Sequence, residues 1–532
     1  MALDRLSKPN DGGQIEVDWQ PGQPRKGRPA GLRNEFEGKD ALCYHFCTSL
    51  VIVRGSLHDH ISLSLKGQRG FLLNSVVDPG EDTALAPDWD WQELEEEALD
   101  LLKRMLRVDT TNPPGNEALI IDEILEPLLR REGLEPVVLR KKEGRSNLVV
   151  RLSGDGSEAP LLLHGHVDVV AADPARWSHP PFDAVEAEGC IWGRGAIDMK
   201  QTVAMQITTL LALHRARVPL SRDLIVAVFA DEEMGSALGS IWLAETHPEL
   251  LRAEYALGEA GAYSVHFGGK RFYPIMVAEK GFVWLELTAR GEPGHGSMPS
   301  RDNAVLRLAR AADALGRRPL RFEATPPMKA FVGALADGLG GPKGAIVRSL
   351  LKPIPFRALG RALFPDARTA DAFSAMLHDT AAPTMLGAGI KVNQIPSEAS
   401  AHIDCRTLPG QTTQGLIDLV RRRVGSDIEI EVVAEGAPVH IDGSDPLLDA
   451  MKGAIASLDP GGIAVTNLIS GFTDAKPLAA LGARTYGFSP LVLPEGISFA
   501  AMFHGDDERI PVGGFRKGLR VFLELVREFC GE

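Results

Sequence analysis

Continuous apolar runs alternate with helical patterns in this chain, and this alternation is the feature that most limits its fold. Residues 161–163, Leu224–Phe229 and residues 255–257 are apolar throughout, as expected of strands that are covered on both faces. Residues 199–213 lie between two of these runs and have the apolar spacing of a helix. The pattern predicts an α/β fold with a mostly parallel sheet and helices on both faces.

Short segments rich in acids and histidines occur at the ends of these and similar runs. They read HGHVD (164–168), GRGAIDMK (193–200), DEE (231–233), GEAG (258–261) and FHGDDE (503–508). Open α/β sheets bind ligands outside the carboxyl ends of their strands, so we expect the segments to meet at one edge. Imidazoles and carboxylates without a thiolate suit zinc or a similar divalent ion. One carboxylate left over as a base indicates metal-assisted hydrolysis.

The spacing of His166 and Asp168 indicates a metal ligand and its support. Residues two apart on a strand face the same side, and a ligating histidine commonly gives its other N–H to a carboxylate. The alternative is a pair at a strand end that hydrogen-bonds only the backbone. Asp198 follows three small residues, which would let the backbone pass close to a site where the carboxylate bridges two ions. Its alternative is the N-cap of the following helix.

Glu232 and Glu233 are adjacent, so on an extended backbone they would point to opposite sides and do different work. One could be a ligand while the other acts as a general base. The alternative is a solvated acidic turn, although here the acids end a buried apolar strand, where unpaired charge is costly. Glu259 lies between small residues after another strand, and His504 lies near the chain end; each is weak evidence alone.

The pattern of apolar and polar residues changes between residues 280 and 434. Residues 283–288, 400–406 and 427–433 have the pattern of half-exposed antiparallel strands, and two helical patterns accompany them. We therefore predict a small α+β domain, with helices on one face of its sheet, inserted into the first domain. A mostly helical, glycine-rich stretch over residues 327–382 lengthens this insertion.

A chain of 532 residues is too long for a single core, and several domains are expected. Residues 1–88 hold scattered glycine and proline without sustained periodicity, which predicts a poorly ordered extension or upstream sequence from a misplaced start. The predicted organisation is an N-terminal extension (1–88), a catalytic metal-binding domain in two parts (89–279 and 435–532) and the inserted domain (280–434).

Bulk composition argues against several classes of partner. The formal net charge of −14 disfavours nucleic acids and anionic membranes, because both favour basic surfaces. Five scattered cysteines argue against a disulfide framework, so a cytoplasmic location is expected. No apolar run reaches the roughly 18 residues that a membrane-spanning helix needs.

Taken together and in this order, the five segments resemble the di-zinc exopeptidase and amidohydrolase family over about residues 90–530. Its members include aminoacylase-1, carboxypeptidase G2, carboxypeptidase S, acetylornithine deacetylase and succinyl-diaminopimelate desuccinylase. The resemblance implies a zinc-bearing α/β domain interrupted by a smaller lid domain. It implies these metal ligands: His166 and Glu259 for one ion, Glu233 and His504 for the other, and Asp198 as the bridge. It also places Asp168 behind His166 and makes Glu232 the general base.

Three segments of the inserted domain extend the resemblance. His295 in GHGS (294–297) is similar to the family's lid histidine, which stabilises the oxyanion and is often supplied across a dimer. Asn393 in VNQIP (392–396) resembles a substrate-contacting asparagine. Arg406 resembles the arginine that grips the substrate carboxylate, a task that suits its bidentate geometry. For His295, the alternative is an ordinary histidine in a glycine-rich turn. For Arg406, the alternative is a surface salt bridge.

One departure from the family pattern is Ala260, which stands where glycine is common. The length of the inserted domain resembles the carboxypeptidase S branch.

The function predicted from these features is metal-dependent hydrolysis of an amide or peptide bond next to an amino acid with a free carboxylate. Two divalent ions are expected, zinc first, with cobalt or manganese as alternatives. The substrate would be a small molecule or a peptide, and the chain could form a homodimer through the lid domain. Dipeptidase, deacetylase and desuccinylase activities are alternatives, as is condensation of a fatty acid with an amino acid. A non-catalytic binding protein on the same fold is a distant alternative.

Overall fold

A sheet of largely apolar strands is the centre of the fold in the computed structural model, which describes residues 87–353, 367–497 and 499–531. Almost all of the predicted extension, residues 1–88, therefore lies outside the described residues. In chain order the strands are β1 (Val137–Lys142), β2 (Arg145–Leu152), β3 (Leu161–His166), β4 (Val185–Ala187), β5 (Cys190–Trp192), β6 (Leu224–Phe229), β7 (Tyr255–Gly258), β8 (Val265–Phe267), β9 (Lys270–Glu279), β10 (Gly281–Arg290), β11 (Gly294–His295), β12 (Thr380–Ala388), β13 (Gln394–Ile395), β14 (Glu398–Thr407), β15 (Ile428–Gly436), β16 (Val439–His440), β17 (Gly462–Ile469), β18 (Arg484–Gly487) and β19 (Arg509–Pro511).

The helices fall between these strands. In chain order they are α1 (Trp91–Leu106), α2 (Ala118–Ile120), a π-helical turn (Ile121–Leu125), α3 (Glu126–Arg131), α4 (Lys200–Ala216), α5 (Ser240–Thr246), α6 (Pro248–Leu251), α7 (Ala304–Gly316), α8 (Pro326–Leu339), α9 (Gly341–Ser349), α10 (Ala367–Ala375), α11 (Thr413–Val424), α12 (Pro446–Leu458), α13 (Ala475–Ala480), α14 (Phe499–Met502) and α15 (Val512–Cys530). Within the described ranges, no helix has both the length and the apolar content to cross a membrane.

The main sheet has the strand order β1-β2-β6-β3-β7-β18-β9-β16, and β8 and β17 also pair with β9. The four central strands, β6, β3, β7 and β18, run parallel. The predicted parallel sheet is thus confirmed for the centre, whereas β1, β2, β8 and β16 at its flanks pair antiparallel.

Helices cover both faces of the main sheet, as the continuous apolar strands predicted. On one face α1, α4, α12 and α15 pack on the larger core, which contains Leu163 and Val226. On the other face α5, α6 and α13 pack on a smaller core, which contains Leu162 and Ile225. Alternate residues of one strand thus enter opposite cores, which explains why these strands show no polar face.

The inserted segment forms a separate antiparallel sheet in the order β12-β14-β10-β15. Helices α7 and α11 pack on one face of it, with Leu285 and Ile403 in its core, and the other face carries exposed side chains such as Trp284. The predicted small sheet with helices on one face is confirmed. The segment leaves the main sheet after β9 and returns to it at β16, which itself pairs with β9.

Helices α8 and α9 belong to a different layer from the inserted sheet. Their apolar side chains, including Phe331 and Val347, pack against Phe272 of β9 and Val465 of β17. The sequence predicted a helical stretch here but not its partner, because apolar periodicity reveals a buried face without identifying what covers it.

Candidate metal centre

The acid and histidine segments meet at the carboxyl ends of the central parallel strands. β3 ends at His166, β6 ends two residues before Asp231, and β7 ends immediately before Glu259. Asp198 lies just before α4, and His504 lies between α14 and β19. Three of the four parallel central strands, β3, β6 and β7, therefore deliver their polar segments to the same edge of the sheet, as the sequence predicted.

One group of ligand atoms surrounds His166, whose side chain is fully buried. Its Nε2 lies 3.2 Å from Asp198 Oδ1, 3.8 Å from Glu232 Oε2 and 3.9 Å from Glu259 Oε2. The ligand atoms of His166, Glu232 and Glu259 all lie within 4.8 Å of one another. These separations leave room for a cation among them.

A second group forms on the other side of Asp198. His504 Nε2 lies 3.0 Å from Asp198 Oδ2 and 3.1 Å from Glu233 Oε2. The two oxygens of Asp198 therefore face two different imidazoles, and the side chain makes no cap for α4, whose N-cap residue is Met199. A carboxylate in this position is suited to bridge two ions.

Asp168 connects His166 with the acidic turn. Nδ1 of His166 lies 3.0 Å from the backbone oxygen of Asp168 and 3.4 Å from its Oδ1, which leaves Nε2 for a ligand. The same carboxylate accepts hydrogen bonds from the backbone N–H groups of Glu232 and Glu233, each at 3.1 Å. One buried side chain therefore positions three candidate site residues.

The acidic turn does not have the extended backbone that the sequence analysis assumed. Glu232–Met234 forms a 3₁₀ turn, and Asp231 before it has a left-handed backbone with φ 70°. The two glutamates still reach different groups, Glu232 near His166 and Glu233 near His504. The extended backbone expected from the sequence is therefore wrong here, because a tight turn sets these directions.

The segment after β7 also departs from ordinary backbone geometry. Ala260 has φ 67° and Ala262 has φ 62°, both in the left-handed region that glycine favours. The alanine at position 260 therefore adopts the conformation that a glycine would reach more easily, and Glu259 keeps its place in the cluster.

Two residues that the sequence analysis missed, Asn112 and Arg145, support Asp168 and the neighbouring Asp231. Asn112 Nδ2 donates to Asp168 Oδ2 at 2.8 Å and to Asp231 Oδ1 at 3.0 Å. The buried guanidinium of Arg145 binds Asp231 at 3.0 Å and Glu117 at 2.6 Å. No local sequence pattern around Asn112 or Arg145 indicates these contacts.

The carboxylates of the cluster are poorly compensated by the protein itself. Burial raises the pKa of Glu259 to about 8, with the charge of Asp198 adding to the effect. Burial also raises the pKa of Glu233, again with a contribution from Asp198, and Glu233 Oε1 is buried without a hydrogen-bond partner. Buried carboxylates of this kind fit a divalent cation, which would supply the missing positive charge.

The two histidines respond to the same charges. Hydrogen bonds with Asp198 and Glu233 raise the pKa of His504 to about 10. Burial opposes the charged form of His166, but its contacts with Asp168, Asp198 and Glu259 outweigh burial and raise its pKa. Without a metal, each imidazole thus holds a proton where a metal ligand would need a free nitrogen, so metal and protons compete.

Without metal, we expect the melting temperature to fall as the pH rises from 5 to 8. The pKa of Glu259 in the folded chain, about 8, lies above its ordinary value of 4.5. Its stabilising contribution is therefore complete below about pH 4.5 and is lost as the pH rises to 8. Thermal unfolding of chelator-treated protein measures this, and added zinc should raise the melting temperature more at pH 8 than at pH 5. A melting temperature that rises with pH, or the same slope in Glu259→Gln, would contradict the expectation.

The three candidate substrate residues of the inserted domain stand apart from this cluster. His295 is exposed and its Nδ1 hydrogen-bonds Ser297 Oγ at 2.7 Å. β11 and β13 pair His295 with Gln394, which brings Asn393 close to it. Arg406 makes a bidentate pair with Asp404 at 2.8 and 3.0 Å. In the described part of the chain, none of the three hydrogen-bonds or pairs with a residue of the metal cluster.

Comparisons with known proteins found a family profile, individual relatives and solved structures that match the chain. Residues 162–528 match the profile of peptidase family M20/M25/M40. The Mus musculus protein named N-fatty-acyl-amino acid synthase/hydrolase PM20D1 is 29% identical over 405 residues, which cover 72% of this chain and 76% of the relative. A probable carboxypeptidase S-like 2 from Dictyostelium discoideum is 28% identical over 390 residues, covering 70% of this chain and 72% of the relative.

Among solved structures, the M20 family metallo-carboxypeptidase Sso-CP2 from Sulfolobus solfataricus superposes with a TM-score of 0.61 and 19% identity. The match covers 81% of this chain and 98% of that one, and at this identity it establishes the fold alone. Since the family profile spans well over half of the chain, the protein belongs to peptidase family M20/M25/M40 and is a hydrolase of peptide or amide bonds.

Proposed function

We propose that the protein cleaves the amide or peptide bond that joins an acyl group to an amino acid with a free carboxylate, as a carboxypeptidase or an N-acyl-amino-acid amidohydrolase. The observation that carries the proposal is Asp198, whose two oxygens face His166 and His504 with the extra carboxylate of Glu232 beside them. A shared carboxylate with two imidazoles suits a pair of divalent ions. The names of the relatives support the choice of substrate class.

The proposed centre holds two divalent ions, zinc first, with cobalt or manganese as alternatives. His166 and Glu259 would hold one ion, and Glu233 and His504 the other. Asp198 would bridge them. Asp168 would keep His166 in the orientation that leaves Nε2 free, as supporting carboxylates commonly do.

Divalent ions bound there would lower the pKa of a water and polarise the substrate carbonyl. Glu232 would take the proton of the attacking water and later deliver it to the leaving nitrogen. Burial raises the pKa of Glu232, which favours proton uptake by this carboxylate. His295 would donate a hydrogen bond to the oxyanion, while Arg406 and Asn393 would hold the free carboxylate of the amino acid.

The exposed position of His295 favours a role for this side chain in the active site of a second copy of the chain. β12 is an edge strand of the inserted sheet, and its Met385 and Leu386 side chains are 64% and 65% exposed. We propose that residues 280–434 act as a lid domain and that its edge forms a homodimer, since an exposed apolar edge strand is a template for pairing. Light scattering on the purified protein tests this, and a monomer at all concentrations would exclude it.

Replacing Arg406 with alanine should raise KM for a carboxylate-bearing substrate by about 10–100-fold, because a charge-assisted bidentate contact contributes about 1.5–3 kcal/mol. The effect on kcat should be smaller, since the group would bind ground state and transition state alike. Steady-state kinetics with one N-acyl amino acid measures both. Arg290→Ala is the matched control, because Arg290 pairs with surface acids of the same sheet. Equal effects of the two variants would exclude Arg406 as the carboxylate site.

A substrate panel tests the proposed function directly. The zinc-loaded protein is incubated with N-acyl amino acids of varied chain length, blocked dipeptides, free dipeptides, and N-acetyl and N-succinyl amino acids, and the released amine is identified. Release from N-acyl amino acids or blocked dipeptides supports the proposal, whereas release only from free dipeptides or from N-succinyl substrates selects an alternative hydrolase activity. No turnover of any substrate would favour a binding protein. A fatty acid with an amino acid tests the reverse condensation.

Two further proposals concern the binding partners and the cellular location of the protein. The net charge of −14 favours partners other than nucleic acids and anionic membranes, and the few scattered cysteines favour a cytoplasmic location. Cell fractionation tests the location, and enrichment in a membrane fraction would contradict both expectations.

A further inference from the structure

Glu508 is a fully buried carboxylate that none of the proposed roles uses. It ends the segment FHGDDE, four residues after His504 and directly before β19, and its side chain is 0% exposed. Burying a carboxylate is costly unless hydrogen bonds satisfy it. The hydrogen-bond partners of Glu508 therefore indicate its structural role.

Among the described residues, all hydrogen-bond partners of the Glu508 carboxylate lie in the loop that carries Asp198. Oε1 accepts from the backbone N–H groups of Ile197 at 2.6 Å and of Asp198 itself at 3.0 Å. Oε2 accepts from the backbone N–H of Gly195 at 3.2 Å and from Arg194 Nη1 at 2.6 Å. Four donors from five consecutive residues thus converge on one side chain.

Arg194 completes the connection in the opposite direction. Its Nη2 donates to the backbone oxygen of Gly505, next to His504, at 2.9 Å. Its guanidinium lies over the ring of Trp177 at 5.2 Å, and the side chain is only 3% exposed. Arg194 therefore binds the loop of His504, while Glu508 binds the loop of Asp198. We call these two residues the clasp.

The clasp fixes two metal-ligand loops that are about three hundred positions apart in the chain. A buried ion pair is weak evidence for stability, because apolar residues of similar volume often stabilise a fold as well. Apolar residues could not, however, hold four N–H groups at defined positions. The observations therefore favour geometry rather than stability as the function of the clasp.

We propose that Glu508 and Arg194 are positioning residues that set the separation of Asp198 and His504, and thereby the affinity of the second metal ion. The 3.0 Å contact between Asp198 Oδ2 and His504 Nε2 is the distance under their control. The inference rests on the proposed two-ion centre.

Glu508→Gln tests the proposal with little change of volume. A glutamine has one acceptor oxygen, so its NH₂ group would face N–H donors where the carboxylate accepts. We expect the weaker of the two zinc affinities to fall by about 10–100-fold, as for other residues that orient metal ligands, with a smaller change in the tighter one. Calorimetric zinc titration measures both, and the visible spectrum of the cobalt form reports the geometry of the second site without any activity assay.

Glu95→Gln is the matched control. Glu95 is also buried and paired with arginine, binding Arg520 Nε at 2.6 Å, but it lies in α1 and touches no ligand loop. The control should keep both zinc affinities and the native cobalt spectrum. A merely structural role for Glu508 would lower the melting temperature of both variants and leave zinc binding unchanged in both.

The outcomes separate this inference from the proposed function. If the wild-type protein binds no pair of ions, the proposed centre fails. If the wild type binds two and Glu508→Gln binds both with native affinity, only the clasp is overturned. Should Glu508→Gln not fold, Arg194→Lys replaces it, since lysine keeps the charge but loses the two separate nitrogens, Nη1 and Nη2, that bind Glu508 and Gly505. Native affinity for the second ion in Arg194→Lys would then overturn the clasp, and a weakened second site would support it.

Discussion

Replacing Glu232 with glutamine should lower kcat by about 10²–10⁴-fold while both metal ions remain bound, which is the range expected for loss of a general base. Glutamine keeps the size of the side chain but cannot take a proton from water. Burial raises the pKa of Glu232, and the charge of Glu259 adds to it although His166 opposes it. Burial raises the pKa of the candidate ligands Glu233 and Glu259 as well, so kinetics and metal content, rather than the pKa, distinguish the base from a ligand. Steady-state kinetics and zinc analysis of the same sample measure the two expectations.

Glu245→Gln serves as the control for Glu232→Gln, because it removes one carboxylate charge from an exposed position of α5. We expect it to keep kcat within about twofold, as is usual for surface substitutions. Wild-type turnover in Glu232→Gln would refute its role as the base. Loss of one zinc ion in that variant would instead make Glu232 a ligand, a reading that its 3.8 Å distance from His166 Nε2 also permits.

The positions of the acid and histidine segments could be predicted because the information is local. A continuous apolar run such as Leu224–Phe229 indicates a strand buried on both faces, and the acids that follow it must then lie at its carboxyl end. His504 was harder, since no long strand precedes it; only its order in the family pattern indicated a place in the cluster.

The supporting contacts could not be predicted, because they join distant parts of the chain. Asn112 reaches Asp168 across 56 positions, and Arg145 reaches Asp231 across 86. A single asparagine or arginine has no periodicity that distinguishes a buried role from a surface one. The same limit applies to Glu508, which the sequence analysis placed in a segment without giving it a function.

The pair formed by Asp404 and Arg406 is a contact that could be predicted from the sequence. Residues two apart on a strand face the same side, and both lie on β14. Their ion pair uses Nε and Nη2 of Arg406, so Asp404 would orient the guanidinium while a substrate carboxylate binds its remaining N–H groups. Such a contact would be made equally in the ground state and the transition state, which places the expected Arg406 effect in KM rather than in kcat.

Replacing Asp198 with asparagine should remove about one equivalent of zinc per chain and lower kcat by at least about 10³-fold. An asparagine amide has one oxygen where the carboxylate has two. It would therefore bind only one of the two ions that we propose Asp198 to bridge. Metal ions contribute several kcal/mol to transition-state stabilisation in such sites, and each 1.4 kcal/mol corresponds to about tenfold in rate. Elemental analysis and kinetics on the purified variant measure both losses.

Asp223→Asn is the matched control, because Asp223 pairs with Arg151 at 2.7 Å beside the first residue of β6, at the opposite edge of the same sheet. It should keep two zinc ions and near-native kcat. Two bound ions in Asp198→Asn would show that His166, Glu259, Glu233 and His504 suffice without a bridge. Comparison with Glu232→Gln then separates the two kinds of carboxylate. Loss of turnover with both metal ions retained identifies the base. Loss of turnover together with loss of a metal ion identifies the ligand that the two sites share.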